Sequence, residues 1–306
     1  MEMMLAARPP FSLATVVNSH GWVQLAPFTG PDAENGFDYV LELTSGRVIA
    51  FHVGAAASGV RVFTETALTA AEHTEVEQAV TWMLGLDMDF SDFYAATRHE
   101  PKLAHVEEQA QGRLLRSATL FENVVKTILT TNTTWGGTKR MALELVNTFG
   151  APLPDDPQRR AFPTPARLAA ADLDTLQKTV RLGYRAPYVL ELAQRVAGAT
   201  EVAGATQVAG GELDLEEWKT AVLPTNELRQ RLLTLKGVGP YAAASLLMLM
   251  GHYDSVPVDS WAFKLVSYEW YDQQPVGRAE VEKAFADWGQ WKGLAYWFWD
   301  WAYHQQ

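Results

Sequence analysis

The chain has 306 residues, of which 48% are hydrophobic and 20% charged, a composition that fits a folded protein of about two domains and excludes wholesale disorder. It contains no cysteine, which excludes disulfides, thiol nucleophiles, cysteine-ligated zinc and iron–sulfur clusters, and which suits a reducing cytoplasm. The net charge is −11, and it is unevenly distributed along the chain. Residues 1–100 hold 4 Lys/Arg against 13 Asp/Glu, whereas residues 101–200 hold 13 Lys/Arg against 9 Asp/Glu. Because electrostatic fields act locally, the basic middle of the chain could still bind phosphate.

The N-terminal part of the chain has the alternating pattern of strands. Apolar and polar residues alternate over 11–17, 22–26, 39–43, 48–52 and 60–62. The segment Thr44–Gly46 separates two of these runs and has the composition of a turn. We therefore predict hairpins that form a small antiparallel β-sheet, as an N-terminal domain over residues 1–75.

From Ala70 onward the hydrophobic period becomes helical. Stripes of apolar residues lie within 120–129, 141–149, 188–196, 228–235 and 242–250. The proline-rich stretch 152–165 predicts an extended loop, and the Ala- and Gly-rich segment 197–211 predicts an exposed connection. The predicted fold class is α+β, with a larger all-α domain over residues 76–306 after the sheet. No apolar stretch is long enough to span a bilayer, so we expect no membrane partner.

The most informative motif is a glycine-containing turn between two helical patterns, at 228–250. An apolar helix ends at Leu235 and a small-residue helix starts at Pro240, which is a favourable first-turn residue. Such a turn leaves backbone N–H groups beside a helix N-terminus, where a phosphate can bind; the alternative is an ordinary αα-hairpin with a glycine cap. The residues predicted to hold such a phosphate, which would be that of a nucleic-acid backbone if the partner is a nucleic acid, are Lys236, Gly237, Val238 and Gly239.

An aspartate, Asp259, follows this turn in the sequence Val-Pro-Val-Asp-Ser-Trp, 18 residues after Tyr241. The pair of motifs resembles the helix-hairpin-helix (HhH-GPD) DNA glycosylase superfamily, in which a Gly-Val-Gly hairpin precedes a Val-Asp motif at this kind of spacing. The segments 111–116, 128–132 and 182–188 are similar to its 3-methyladenine and 8-oxoguanine branch.

The resemblance implies that Asp259 is the catalytic carboxylate. Cleavage of an N-glycosidic bond builds positive charge on the sugar, which a nearby carboxylate stabilises. The alternative is that Asp259 only caps the helix that begins at Ser260, and both roles are compatible. Bifunctional members carry a lysine where this chain has Tyr241, and a phenol cannot form a Schiff base. The resemblance therefore implies a monofunctional enzyme.

Base extrusion requires a residue that fills the gap in the duplex and a pocket for the extruded base. The resemblance places Asn132, Tyr184 and Arg185 at the gap; Asn132 could instead cap a helix. We assign Tyr241, Trp297 and Trp299 to the base pocket, because aromatic rings stack on bases and attract cationic ones. The alternative for the C-terminal tryptophans is core packing, and Trp297 and Trp299 cannot face the same side.

The sequence thus predicts a monofunctional DNA glycosylase of base excision repair that acts on alkylated purines of the 3-methyladenine type. The alternatives are an 8-oxoguanine-type glycosylase and a non-catalytic DNA-binding module, which would not need Asp259. The expected partner is double-stranded DNA with damaged bases, bound by a monomer. We expect no metal site and no cofactor, except that the resemblance implies a structural monovalent cation held by carbonyls of the hairpin.

Overall fold

The N-terminal sheet has four antiparallel strands in the order β1-β4-β3-β2 in the computed structural model, which describes residues 1–30, 36–202, 205–208 and 213–301. The strands are β1 (Glu2–Ala6), β2 (Phe37–Glu42), β3 (Val48–Ala56) and β4 (Gly59–Phe63). The predicted strands at 39–43, 48–52 and 60–62 are confirmed, and Tyr39 pairs with Phe51 across β2 and β3. Both of these side chains are buried on the face that packs against the helices.

The predicted strands at 11–17 and 22–26 are wrong. Leu13–Val17 form a short helix, α1, and Gly21–Gln24 form a 3-10 turn. Ser12 caps α1 by accepting a hydrogen bond from the Thr15 backbone N–H at 3.3 Å. The buried residues of α1 are Leu13, Val16 and Val17, whose spacing of three and four residues is that of a helix.

The first strand, β1, was not predicted, although Met3 and Leu5 alternate in burial with exposed neighbours. It pairs with β4 at the edge of the sheet. A run of five residues is too short for its pattern to predict a strand. The strand that pairs with it and stabilises it lies more than fifty residues away in sequence.

The rest of the chain is mainly helical. Its helices are α2 (Ala70–Leu84), α3 (Ser91–Thr97), α4 (His105–Glu108), α5 (Leu120–Thr130), α6 (Trp135–Phe149), α7 (Pro165–Ala169), α8 (Ala186–Ala197), α9 (Thr225–Leu233), α10 (Pro240–Leu249), α11 (Ser260–Trp270), α12 (Arg278–Ala284) and α13 (Lys292–Phe298). The five predicted apolar stripes correspond to α5, α6, α8, α9 and α10. None of the described helices is long and apolar enough to cross a membrane.

Two small hairpins correct the prediction of an all-helical second part. Within the predicted loop 152–165, β5 (Pro152–Leu153) pairs with β6 (Asp156–Arg160). Within the predicted connection 197–211, β7 (Ala199–Val202) pairs with β8 (Ala205–Val208), while residues 203–204 and 209–211 lie outside the described residues. The boundary at residue 75 falls inside α2, and the division into two domains stays a prediction.

Helix α5 connects the sheet to the functional end of the molecule. Glu122 accepts a hydrogen bond from the Tyr39 hydroxyl of β2 at 2.5 Å and forms an ion pair with Lys126 at 2.6 Å. All three side chains are buried. Removal of one partner from a buried ion pair typically costs about 3–5 kcal/mol, so this network fixes the sheet against α5. The C-terminal end of α5, at Thr130, opens onto the cleft described next.

Candidate active site

The predicted hairpin lies between α9 and α10, and two of its residues fit the turn for different reasons. Gly237 has a φ of +86°, and a Cβ atom there would lie 2.9 Å from Cδ2 of Tyr188 and 3.3 Å from Cγ2 of Ile128, so only glycine fits. Val238 is buried and anchors the turn in the core. The hairpin is therefore held in one conformation by packing against α5 and α8.

Gly239 precedes the first residue of α10 and faces open space, since a Cβ atom built on it would contact nothing within 4 Å. The first N–H groups of a helix have no intrahelical acceptor, and the helix dipole favours an anion near them. The backbone of the hairpin at Gly239 can thus approach a phosphate. Lys236 projects from the other side of the turn, where its exposed ammonium forms an ion pair with Glu191 of α8 at 2.5 Å.

Asp259 is the N-cap of α11. Its Oδ1 atom accepts hydrogen bonds from the backbone N–H groups of Trp261 at 2.9 Å and Ala262 at 2.8 Å. The capping interpretation from the sequence is therefore confirmed. It does not exclude chemistry, because both bonds use Oδ1 and leave Oδ2 without a hydrogen-bond donor from the described residues. The cap fixes the carboxylate in place while one oxygen remains available.

An open cleft of about 820 Å³ brings the hairpin and the aspartate together. Its walls are formed by Thr130–Thr133 at the C-terminal end of α5, Tyr184, Gly237–Ala242 and Asp259–Ser260. Its volume is in the range of ligand-binding clefts. Among the described residues that line it, none is a lysine.

Tyr241 lies in the first turn of α10, in the same cleft as Asp259. Burial raises the pKa of the Tyr241 phenol, and the negative charge of Asp259 raises it further. The same two causes raise the pKa of Tyr296 in α13. Two phenols that stay protonated near neutral pH therefore lie close to the carboxylate.

A smaller inner cavity of about 60 Å³ lies behind this cleft, and the two share Thr130 and Tyr241 as lining residues. Its other walls include Trp297 of α13 and two residues of the N-terminal segment, His20 and Trp22. The Trp297 indole N–H donates to the Ser19 carbonyl at 3.0 Å.

The family model described as "HhH-GPD superfamily base excision DNA repair protein" matches residues 125–298, which is more than half of the chain. The chain belongs to this superfamily. The matched range begins in α5 and ends with α13, so it includes the hairpin, the aspartate and Trp297. No curated protein matches the chain.

Solved structures of HhH-GPD glycosylases share the fold. The 3-methyladenine DNA-glycosylase from Archaeoglobus fulgidus has a TM-score of 0.73 at 17% sequence identity, with 97% of each chain covered. The 8-oxoguanine glycosylase/lyase from Clostridium acetobutylicum, in complex with double-stranded DNA, has a TM-score of 0.70 at 20% identity, with 94% of this chain and 90% of that chain covered. The identities are low, so these likenesses show the fold: a small antiparallel sheet joined to a helical HhH-GPD region.

The residues predicted to fill the gap in the duplex lie together at the rim of the HhH-GPD cleft, but in different environments. Tyr184 is 48% exposed, and Asn132 donates a hydrogen bond from Nδ2 to the Tyr184 hydroxyl at 3.3 Å. Arg185 is only 6% exposed. Its guanidinium packs under the Tyr184 ring at 4.4 Å and donates to the carbonyls of Thr131 and Asn132. The prediction for Arg185 is thus corrected: it supports the rim and does not project from it.

The prediction for Trp299 is also corrected. Helix α13 ends at Phe298, and Trp299, which follows it with non-helical backbone angles, is not among the described residues that line the inner cavity. Its ring packs against Trp270 at 5.2 Å and Phe285 at 5.6 Å between centroids. Trp299 therefore belongs to an aromatic cluster of the core. This agrees with the alternative interpretation from the sequence, in which the C-terminal tryptophans pack in the core.

His20 and Trp22 were not predicted as pocket residues. They follow α1 and are more than 90 residues away in sequence from the next wall residue, Leu114. The Asn-Ser-His-Gly-Trp turn that carries them has no pattern that would have separated it from an ordinary loop.

No group of three or more His, Asp or Glu side chains within the described ranges is placed to hold a metal ion. The hairpin offers backbone carbonyl oxygens, which can coordinate a monovalent cation. That cation stays a prediction, and the chemistry proposed below does not use it.

Proposed function

We propose that the protein is a monofunctional DNA glycosylase that hydrolyses the N-glycosidic bond of alkylated purines, of the 3-methyladenine type, extruded from duplex DNA. The observation that carries the proposal is the composition of the cleft. A fixed carboxylate, Asp259, and a phenol, Tyr241, line the cleft, and Tyr241 also lines the adjoining aromatic cavity. No described lining residue of the cleft is a lysine.

The proposed chemistry follows from this arrangement. The hairpin backbone at Gly239 binds a phosphate and positions the strand, while the damaged base enters the inner cavity. As the glycosidic bond breaks, positive charge develops on the deoxyribose, and the carboxylate of Asp259 stabilises it at short range. The base leaves with the electron pair of the glycosidic bond. Water then adds to C1′ of the sugar cation and loses a proton to the free carboxylate oxygen of Asp259 or to solvent, because none of the described cleft residues offers an amine. The product is an intact strand with an abasic site.

Three lysines lie in the hairpin or a few residues from Asp259 or from the segment 128–132, and their contacts support the absence of lyase activity. Lys236 pairs with Glu191, and Lys264 lies over the Trp261 ring at 5.6 Å. Lys126 is fully buried in its pair with Glu122. A Schiff base needs a deprotonated amine within reach of the sugar, and none of these lysines lines the cleft as described.

The walls of the inner cavity favour alkylated over oxidised purines. An alkylated purine nucleoside carries a positive charge, which the π-faces of Trp22, Trp297 and Tyr241 attract. A glycosylase of the 8-oxoguanine type remains the second candidate, supported by the Gly183-Tyr184-Arg185 segment and its position at the rim. We further propose that the protein acts as a monomer in the cytoplasm, a reducing compartment that suits a chain without cysteine.

The test is base release from duplexes that each contain one defined lesion, with the released base identified by mass spectrometry. The proposal predicts release of 3-methyladenine or 7-methylguanine, and release that is about 10²–10³ slower by Asp259→Asn under the same conditions. Release of 8-oxoguanine alone would support the second candidate. Binding without release of any base would support a DNA-binding module instead.

A further inference from the structure

His20 is part of the wall of the cavity that adjoins the candidate catalytic cleft. Its ring packs against Trp22, with 4.7 Å between centroids, and meets Trp297 edge-on at 6.2 Å. The residues before it in α1, Val16 and Val17, are buried in the core, whereas His20 is partly accessible and lines the cavity. As a lining residue of the cavity, His20 can contact an occupant.

The contacts of His20 fix its tautomer. Its Nε2 atom lies 2.7 Å from the carbonyl oxygen of Leu115, and a carbonyl can only accept a hydrogen bond. Nε2 therefore carries the hydrogen, and in the neutral ring Nδ1 is an acceptor. Burial lowers the pKa of His20 to about 4 despite the opposing effect of the Leu115 hydrogen bond, and the positive charge of Lys126 lowers it further. The ring is neutral at physiological pH.

The other polar groups of the cavity wall donate their hydrogen bonds to acceptors within the protein. Thr127 and Ser245 donate to the backbone carbonyls of Asn123 and Tyr241. The indole N–H groups of Trp22 and Trp297 donate to Asn123 Oδ1 and to Ser19 O. Apart from the Tyr241 phenol, the described residues of the wall have few hydrogen-bond donors left for an occupant, and mainly acceptors remain. Nδ1 of His20 receives no hydrogen bond from the described residues, so an N–H group of the occupant would satisfy it.

We propose, resting on the proposed function, that His20 is a specificity-determining residue that accepts a hydrogen bond from an N–H group of the extruded base. The cavity then favours purines that keep an exocyclic amino group, such as 3-methyladenine and 7-methylguanine. It disfavours 1,N6-ethenoadenine, because a fused ring has replaced every hydrogen on its amino nitrogen. A neutral imidazole also avoids repulsion of a cationic base, which a protonated histidine would cause.

The experiment compares single-turnover excision of 7-methylguanine and of 1,N6-ethenoadenine from duplexes of the same sequence. Wild type should release 7-methylguanine faster. In His20→Phe, which keeps a ring but removes the acceptor, 7-methylguanine excision should fall by about 10- to 100-fold while ethenoadenine excision changes little. His20→Gln should restore most of the loss, because an amide can donate to Leu115 and accept from the base.

Equal losses for both bases in His20→Phe, or no loss for either, would overturn the role of His20 while leaving the proposed function intact. A wild type that releases neither base, although it binds both duplexes, would contradict the proposed function and the role of His20 with it. Thermal unfolding of both variants separates a packing defect from a loss of recognition, since only recognition changes the ratio of the two rates.

Discussion

Tyr241 and Asp259 line the same cleft from two helix N-termini, and the carboxylate of Asp259 helps to raise the pKa of the Tyr241 phenol. The hairpin thus carries a neutral hydroxyl, that of Tyr241, at the position where an amine would act as a nucleophile. A phenol with a raised pKa stays protonated at neutral pH and can stack or donate, but cannot attack the sugar. This pair underlies the proposed hydrolytic reaction.

The first prediction concerns Asp259. Asp259→Asn should lower base excision by about 10²–10³, the usual effect of removing one preorganised electrostatic group. Because asparagine caps helices nearly as well as aspartate, the melting temperature should change little. Asp172→Asn is the matched control, since Asp172 also accepts a backbone hydrogen bond, from Thr175 at 2.9 Å, but lies away from the cleft. Near-normal excision by Asp259→Asn would remove the carboxylate from the mechanism.

The second prediction separates two glycines of the hairpin. Gly237→Ala should destabilise the fold by about 1–3 kcal/mol, because its φ is positive and its Cβ would press against Tyr188. Gly239→Val should leave the fold stable, as nothing lies within 4 Å of its Cβ, but should weaken binding to damaged and undamaged duplex alike. Urea unfolding and fluorescence anisotropy measure the two effects. Unchanged DNA affinity in Gly239→Val would mean that the hairpin is a structural turn only.

The third prediction concerns the rim. Tyr184→Ala should slow excision from a fully paired duplex more than from one in which the lesion lies opposite an abasic site, where extrusion is easier. Arg185→Ala should instead lower the melting temperature, because it removes a buried guanidinium that supports Thr131 and Asn132. If Tyr184→Ala slowed both substrates equally, the ring would have no part in opening the duplex.

The fourth prediction is a pH dependence of stability. His20 has a pKa of about 4 in the folded protein and 6.5 as its ordinary value, so between these pH values the unfolded chain binds more protons. Stability contributed by neutral His20 is present above pH 6.5 and is lost as the pH falls toward 4, by about 2–3 kcal/mol. Lys126 of α5 and the Tyr241 phenol of α10 are the charged and titratable groups near the ring.

Urea unfolding at a series of pH values tests this dependence, with His20→Gln as the comparison because glutamine does not titrate. The difference in unfolding free energy between wild type and variant should change steadily across this range. A constant difference would show that His20 titrates alike in the folded and unfolded chains.

The sequence predicted the parts of the site that are local in the chain. The hairpin and Asp259 depend on short motifs whose glycines and cap residue have a direct conformational meaning, and the structure places them in one cleft. Period-two and helical patterns likewise predicted β2, β3 and the main helices. These features need no long-range contact to be visible in sequence.

Apart from the two short hairpins β5–β6 and β7–β8, whose pairings are local, the errors concern tertiary contacts. The alternation at 11–17 is also compatible with a helix that buries Leu13, Val16 and Val17, and only packing decides between the two. The sequence around Arg185 does not reveal that the guanidinium folds under Tyr184. The positions 297 and 299 have the same residue type, but the end of α13 between them sends one indole to the cavity and the other to the core.

The central claim is hydrolysis without lyase activity, and one measurement tests it most directly. A labelled duplex with a single 7-methylguanine is incubated with the protein, with and without borohydride, and resolved on a denaturing gel before and after hot alkali. The account predicts an intact strand that breaks only after alkali, and no covalent adduct in the borohydride lane. Strand cleavage without alkali, with a trapped adduct that disappears in Lys236→Ala, would contradict it.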